Sequence, residues 1–181
     1  MTSVWSLITS MFRLTKQKDL PMEQSDASKP TTKSSIVFAK PKRSVRKVFV
    51  HCSASDNPKH DDISVIKQWH LNRKPPFSDV GYHYFIKKDG TVQAGRPLEV
   101  VPAAQEGHNV SSIAICLHGL KKENFTQAQF DSLRDLCLQI AKAYDNMITF
   151  HGHCEVSTKE CPVFDYKSVL QLDKAGKSSL V

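Results

Sequence analysis

Lys47-Val48-Phe49-Val50-His51 is the stretch on which the fold is decided. A run of β-branched and aromatic residues suits a pleated, buried strand, and this one ends on a histidine. The folded region begins here. Downstream, Asp61 or Asp62 can cap a helix through Ile63, Val65, Ile66 and Trp69, whose spacing gives one apolar face, and Pro75-Pro76 closes it. Tyr82 to Lys87 and Val92 to Arg96 flank Lys88-Asp89-Gly90-Thr91, and Asp-Gly between two strand-like runs predicts a hairpin. Ser112-Ile113-Ala114-Ile115-Cys116-Leu117 is nearly all apolar and reads as a central strand. Thr126-Gln127-Ala128-Gln129 is a capping box that opens the longest helix, to about Tyr144, with Phe130, Leu133, Leu136, Cys137, Ile140 and Ala141 at helical spacing. Met147-Ile148-Thr149-Phe150 is a last short strand, and Asp165 to Leu172 a closing helix. Strands interleaved with helices make this a single α/β domain, a central mixed sheet of about five strands flanked by helices.

Upstream of Lys47 the character changes. The 181-residue chain carries 25 Lys+Arg against 18 Asp+Glu, and the whole surplus of 7 lies in residues 1–47. The remainder is neutral, which argues against a nucleic-acid-binding domain with a broad basic face. The expected organisation is a basic, flexible arm at 1–45, a domain at 46–175 and a short tail at 176–181. Within the arm, Trp5, Ile8 and Phe12 share a helical face, Lys16 to Ser35 has the composition of a disordered linker, and Pro41 to Lys47 is a basic cluster. No segment approaches the ~20 apolar residues of a membrane span, and the positive residues follow the apolar start rather than precede it, so no signal peptide is expected. Five irregularly spaced cysteines make a poor disulfide framework and suit a reducing cytosol.

Two features converge on chemistry. His51 closes the first strand, where a side chain can enter a cleft, and His153 and Cys161 bracket the loop after the last strand. Two histidines and a cysteine are ligands of the right softness for zinc, and three protein ligands leave a fourth position open, the catalytic pattern. A self-contained structural knuckle of His151, His153, Cys154 and Cys161 is the alternative grouping. Cys52, Cys116 and Cys137 fall at core positions, and Cys154 is a bystander because successive residues point apart.

Five ordered motifs carry a resemblance: Val50-His51-Cys52-Ser53-Ala54, Gln68-Trp69-His70, Asp79-Val80-Gly81-Tyr82-His83, Lys88-Asp89-Gly90-Thr91-Val92, and His153-Cys154-Glu155-Val156-Ser157-Thr158-Lys159-Glu160-Cys161-Pro162. Together they resemble the zinc-dependent N-acetylmuramoyl-L-alanine amidases, in particular the amidase-type lysozymes of T-odd phages, with peptidoglycan recognition proteins as more distant relatives. The resemblance covers residues 46–172. It implies zinc ligands His51, His153 and Cys161, catalytic partners Tyr82 and Lys159, and hydrolysis of the amide between N-acetylmuramic acid and L-alanine in peptidoglycan. It implies synthesis in the host cytoplasm and action in the periplasm after holin-dependent release, as a monomer. His70 and His83 sit inside family-like motifs and read as structural or ligand-orienting. The chain departs from the family at Cys154, where a second His is usual, at Ala103-Ala104-Gln105, where a histidine is frequent, and at Ala114, where Gly is expected. Two other roles follow from the resemblance or from charge: binding of phage RNA polymerase, and a non-catalytic peptidoglycan-binding virion component. The arm is a candidate for attraction to an anionic envelope surface.

Overall fold

The computed structural model describes residues 36–180. The amphipathic start and the linker expected at 4–12 and 16–35 lie outside the described residues. Five strands form one sheet: β1 (Lys47–Cys52), β2 (Tyr84–Ile86), β3 (Val92–Ala94), β4 (Ser112–Leu117) and β5 (Thr149–Gly152), in the order β3-β2-β4-β1-β5. β1 pairs in parallel with both β4 and β5, β2 pairs in parallel with β4, and only the β2–β3 hairpin is antiparallel. The helices are α1 (Ile63–Asn72), α2 (Gln127–Ala143) and α3 (Tyr166–Leu170).

The alternation of β1 sorts its side chains. Val48, Val50 and Cys52 enter the larger core with Ile113, Ile115 and Leu117 of β4 and with Leu133, Leu136, Cys137 and Ile140 of α2. The period of two sends Phe49 and His51 to the opposite face. A smaller cluster of Ile66, Val80, Phe85 and Cys116 lies on that side, beneath α1. His51 is therefore buried at the C-terminal end of an inner parallel strand, where α/β sheets open their binding crevices.

The local signals hold at the helix starts. Asp62 caps α1 by accepting from Ser64 N at 2.8 Å, while Asp61 accepts from Lys88 N. The capping box forms in both directions between Thr126 and Gln129, and Asp165 caps α3. Gly90 takes φ 84° in the hairpin, a left-handed value that suits glycine. The burial of one residue and the bounds of three strands differ from expectation. Trp69 is 40 % exposed, because α1 seats on the sheet chiefly through Ile66. β5 begins at Thr149 rather than Met147 and runs on to Gly152, since Phe49 and Val50 of β1 pair with His151 and Gly152. β2 and β3 are three residues each, shorter than the apolar runs that predicted them.

Both ends of the described chain are tied to the domain. Phe38 is buried, its backbone N–H donates to Gln139 Oε1 at 2.8 Å, and its ring meets Tyr144. Arg43 donates to the carbonyls of Leu98 and Ser112. Residues 36–45 thus pack against the domain instead of belonging to a solvated arm, and the Arg43 charge is engaged internally. At the other end Phe150 N donates to the carbonyl of Gly176 at 2.7 Å, and Leu172 bridges Ser178.

Candidate metal centre and substrate groove

His51 Nδ1 lies 3.9 Å from Cys161 Sγ, and the His51 and His153 ring centroids are 4.6 Å apart. One donor atom from each of His51, His153 and Cys161 fits within a sphere of mutual separations no greater than 4.8 Å. Four-coordinate zinc with bonds of ~2.0–2.3 Å holds such donors roughly 3.5 Å apart, so a contraction between a few tenths of an ångström and about 1.5 Å would close the set. Among the described residues this is the one grouping of three metal-ligating side chains. The structure does not bring His151 into it: its Nδ1 meets Glu155 Oε2 at 2.7 Å and its Nε2 meets Thr149 Oγ1 at 2.8 Å. Cys154 is exposed, while Cys52, Cys116 and Cys137 are buried.

The loop that carries His153 and Cys161 is braced by its own hydrogen bonds. Cys154 N donates to the carbonyl of Cys161 at 2.6 Å, and Cys161 N donates to the carbonyl of Lys159 at 2.9 Å. Glu155, at the base of the loop, accepts from the Tyr166 hydroxyl and pairs with His151. Cys161 Sγ faces the backbone N–H of Cys52 at 3.3 Å and its thiol at 3.8 Å.

Burial, reinforced by the neighbouring His153, pulls the His51 imidazole down to about 3, so it is neutral and keeps a lone pair for a metal. Burial lowers His153 as well, with Lys159 adding to the effect. The adjoining Cys52 thiol and burial push the Cys161 thiol up, so without a cation it holds its proton. A dication inverts that preference, because a coordinating thiol is deprotonated outright.

Tyr82 and Lys159 both line the ≈ 450 Å³ cavity above these ligands. The Tyr82 ring packs 5.2 Å from His51 and 5.4 Å from His70. Burial and the thiols of Cys116, Cys161 and Cys52 hold its hydroxyl well above the usual phenol range, so it remains a hydrogen-bond donor. His70 accepts from Gly81 N at 2.9 Å, which positions the segment leading into Tyr82 rather than a ligand. His83 is wholly structural: its Nδ1 accepts from Ala114 N at 3.0 Å and its Nε2 faces the carbonyl of Val100.

A second cavity of ≈ 750 Å³ adjoins the first through shared walls at Arg73, Phe77, Ala103, Ala104, His153 and Lys159. Arg73 lies over the Phe77 ring at 4.1 Å. Arg73 and Phe77 carry no signal in the sequence because they follow α1 in an irregular segment without periodicity. Gln105 stands out in sequence only as a departure from the family pattern; in the structure this fully buried side chain contacts His51 Nε2 at 3.0 Å.

Comparison with known proteins follows the same lines. Residues 41–164 match the N-acetylmuramoyl-L-alanine amidase family. The endolysin of Escherichia phage T7 is 40 % identical over 134 residues, covering 71 % of this chain and 87 % of the phage protein. The N-acetylmuramoyl-L-alanine amidase LysC from Clostridium intestinale superposes with a TM-score of 0.63 at 28 % identity, covering 71 % of this chain and 85 % of the other. Drosophila PGRP-LB shares the fold, with a TM-score of 0.57 at 24 % identity over 67 % of this chain and 76 % of its own.

Proposed function

The chain belongs to the N-acetylmuramoyl-L-alanine amidase family, and from that premise we propose that it works as a zinc-dependent endolysin, with His51, His153 and Cys161 holding the metal and Tyr82 and Lys159 assisting the chemistry. The reaction is hydrolysis of the amide joining N-acetylmuramic acid to L-alanine in peptidoglycan. The observation that carries the metal reading is the convergence of a strand-end histidine with a histidine and a buried cysteine from a separate loop.

The donor set fits zinc: two neutral imidazoles and one thiol that a dication deprotonates, with space above them instead of a fourth side chain. When bound, zinc supplies a Lewis acid for the scissile carbonyl and acidifies a water towards ~7. The protein's own groups do the rest. Lys159 presents an ammonium at the cavity wall, where it stabilises the negative charge that develops on the carbonyl oxygen. Tyr82, kept as a phenol by its surroundings, donates a hydrogen bond to the same reacting group and is unsuited to act as a base at neutral pH. Water adds its oxygen to the carbonyl carbon, the C–N bond breaks, and the proton released ends on the departing L-alanine amine. The adjoining groove, lined by Arg73, Phe77 and Ser157 to Lys159 among others, accepts the stem peptide.

Among the described residues no helix is long and apolar enough to cross a membrane. We place the site of action at the periplasmic wall, reached by release from the cytoplasm. Product analysis on purified peptidoglycan tests the function. New L-alanine amino termini, without new reducing sugar ends, are expected; reducing ends without amino termini would mean glycosidase chemistry and overturn it.

A further inference from the structure

We propose that Gln105 is the positioning residue of the metal centre: a one-way chain of hydrogen bonds through it fixes the proton of His51 on Nε2 and leaves the Nδ1 lone pair facing Cys161. The inference rests on the zinc reading of His51, His153 and Cys161.

The direction of the chain follows from one group that cannot donate. The backbone carbonyl of Asn109 lies 2.7 Å from Ser112 Oγ, so the Ser112 hydroxyl must give its proton there. Ser112 Oγ is then an acceptor towards its other neighbour, the Gln105 side chain at 2.6 Å, which must turn its amide nitrogen to the serine. The Gln105 carbonyl oxygen consequently faces His51 Nε2 at 3.0 Å. A carbonyl only accepts, so His51 carries its hydrogen on Nε2, and a neutral imidazole with Nε2–H has its lone pair on Nδ1. That nitrogen is the one 3.9 Å from Cys161 Sγ.

The chain is built to be rigid. Gln105 and Ser112 are fully buried and His51 nearly so, which excludes competing water. The Gln105 backbone N–H, with that of Ala104, donates to Asn109 Oδ1 at 3.0 Å, so one asparagine holds the Gln105 backbone through its side chain and the Ser112 hydroxyl through its carbonyl. Arg43 reaches in from the opposite side and donates to the Ser112 carbonyl at 2.7 Å. Without the amide, His51 would be free to take the Nδ1–H form, with its proton between the ring and the thiol that must converge on the metal. An acceptor on the non-ligating N–H of a metal-bound histidine is worth 10–100-fold in metal affinity.

Two measurements test this. In the zinc-free protein, long-range ¹⁵N–¹H correlations of the histidine rings report the tautomer directly; His51 is expected as the Nε2–H form, and an Nδ1–H form overturns the proposal. Zinc affinity, read by competition with a chromophoric chelator, is expected to weaken about 10–100-fold in Gln105→Leu, which has no acceptor. It is expected to recover in part in Gln105→Glu, which keeps an acceptor for the His51 Nε2–H but has no amide donor for Ser112 Oγ. Parental affinity in the leucine variant, or equal loss in both variants, overturns it. The tautomer measurement needs no substitution, so it decides even where a variant fails to fold. Parental protein with the Nε2–H tautomer but no zinc affinity would sink the zinc reading while leaving the hydrogen-bond chain intact.

Discussion

Gly81 joins the segment that carries Tyr82 to the loop that carries Gln105, and a single methyl group there should disable the site. A Cβ on Gly81 would stand 2.3 Å from the carbonyl oxygen of Ala103 and 3.1 Å from its carbonyl carbon. Real Cβ contacts do not fall under 3.0 Å, so one backbone or the other must retreat by at least about 0.7 Å, and neither is a flexible side-chain end. The two segments are also bonded to each other, Ala103 N to the carbonyl of Gly81 at 3.0 Å, while Gly81 N is held by His70. The displacement therefore passes to Tyr82 on one side or Ala104-Gln105 on the other, and both neighbours touch His51. Overpacking of this kind destabilises by about 1–3 kcal/mol, and misplacement of reacting groups by ~1 Å costs on the order of 100-fold in rate. Gly81→Ala is thus expected to lower urea stability by about 2 kcal/mol and amine release from purified walls by about 100-fold at saturating zinc. A variant with parental stability and activity within about threefold of the parent, far short of that loss, would refute the reasoning that the Gly81–Ala103 contact sets the geometry.

Other expectations are briefer. His83 is pulled down to about 4, chiefly by burial, whereas an unfolded histidine titrates near ~6.5. The unfolded chain binds more protons between those values, so the stability linked to His83 is fully present above pH ~6.5 and lost as pH falls towards 4, about 3 kcal/mol at most. Urea unfolding of His83→Gln across that window should show a shallower pH dependence than the parent; an equal slope would contradict the assignment. Phe38→Ala should cost about 3 kcal/mol in urea unfolding, because Phe38 completes the core beside Tyr144; a loss under about 0.5 kcal/mol, that of a typical surface site, would mean that residues 36–45 are not part of the folded unit. Cys161→Ser should abolish zinc binding while Cys154→Ser leaves it unchanged, read by metal content after gel filtration; the reverse pattern would move the thiolate ligand to Cys154.

Much of this architecture is legible where local chemistry is decisive. Val48-Phe49-Val50, the Asp89-Gly90 turn and the Thr126 capping box each state their structure within a few residues, and β4 reads as central because both of its faces are apolar. The three side chains proposed to hold the metal are legible for a different reason: His51 ends an inner strand, and His153 and Cys161 bracket one loop. What stays hidden depends on contacts between distant segments. Phe38 meets Gln139 and Tyr144 across about a hundred residues, so the basic run that follows it, Lys40 to Lys47, gives the segment the look of a solvated arm. Trp69 fits the apolar stripe of α1, yet only Ile66 of that helix is buried, and the indole stands edge-on to His60 at the cavity wall. Gln105 carries no signal of its own in sequence, since a buried amide is distinguished only by the partners that the fold brings to it. His83 and His70 occupy similar motifs but serve different backbones, Ala114 and Gly81, a distinction set by strand pairing and helix packing.

The central claim is that His51, His153 and Cys161 hold a zinc ion on which amide hydrolysis depends. The direct measurement is the zinc content of the purified protein, followed together with amine release from peptidoglycan through chelation and reconstitution. The account predicts one zinc per chain, parallel loss of metal and activity on chelation, and return of both on adding zinc. Full amidase activity in protein stripped of metal would contradict it.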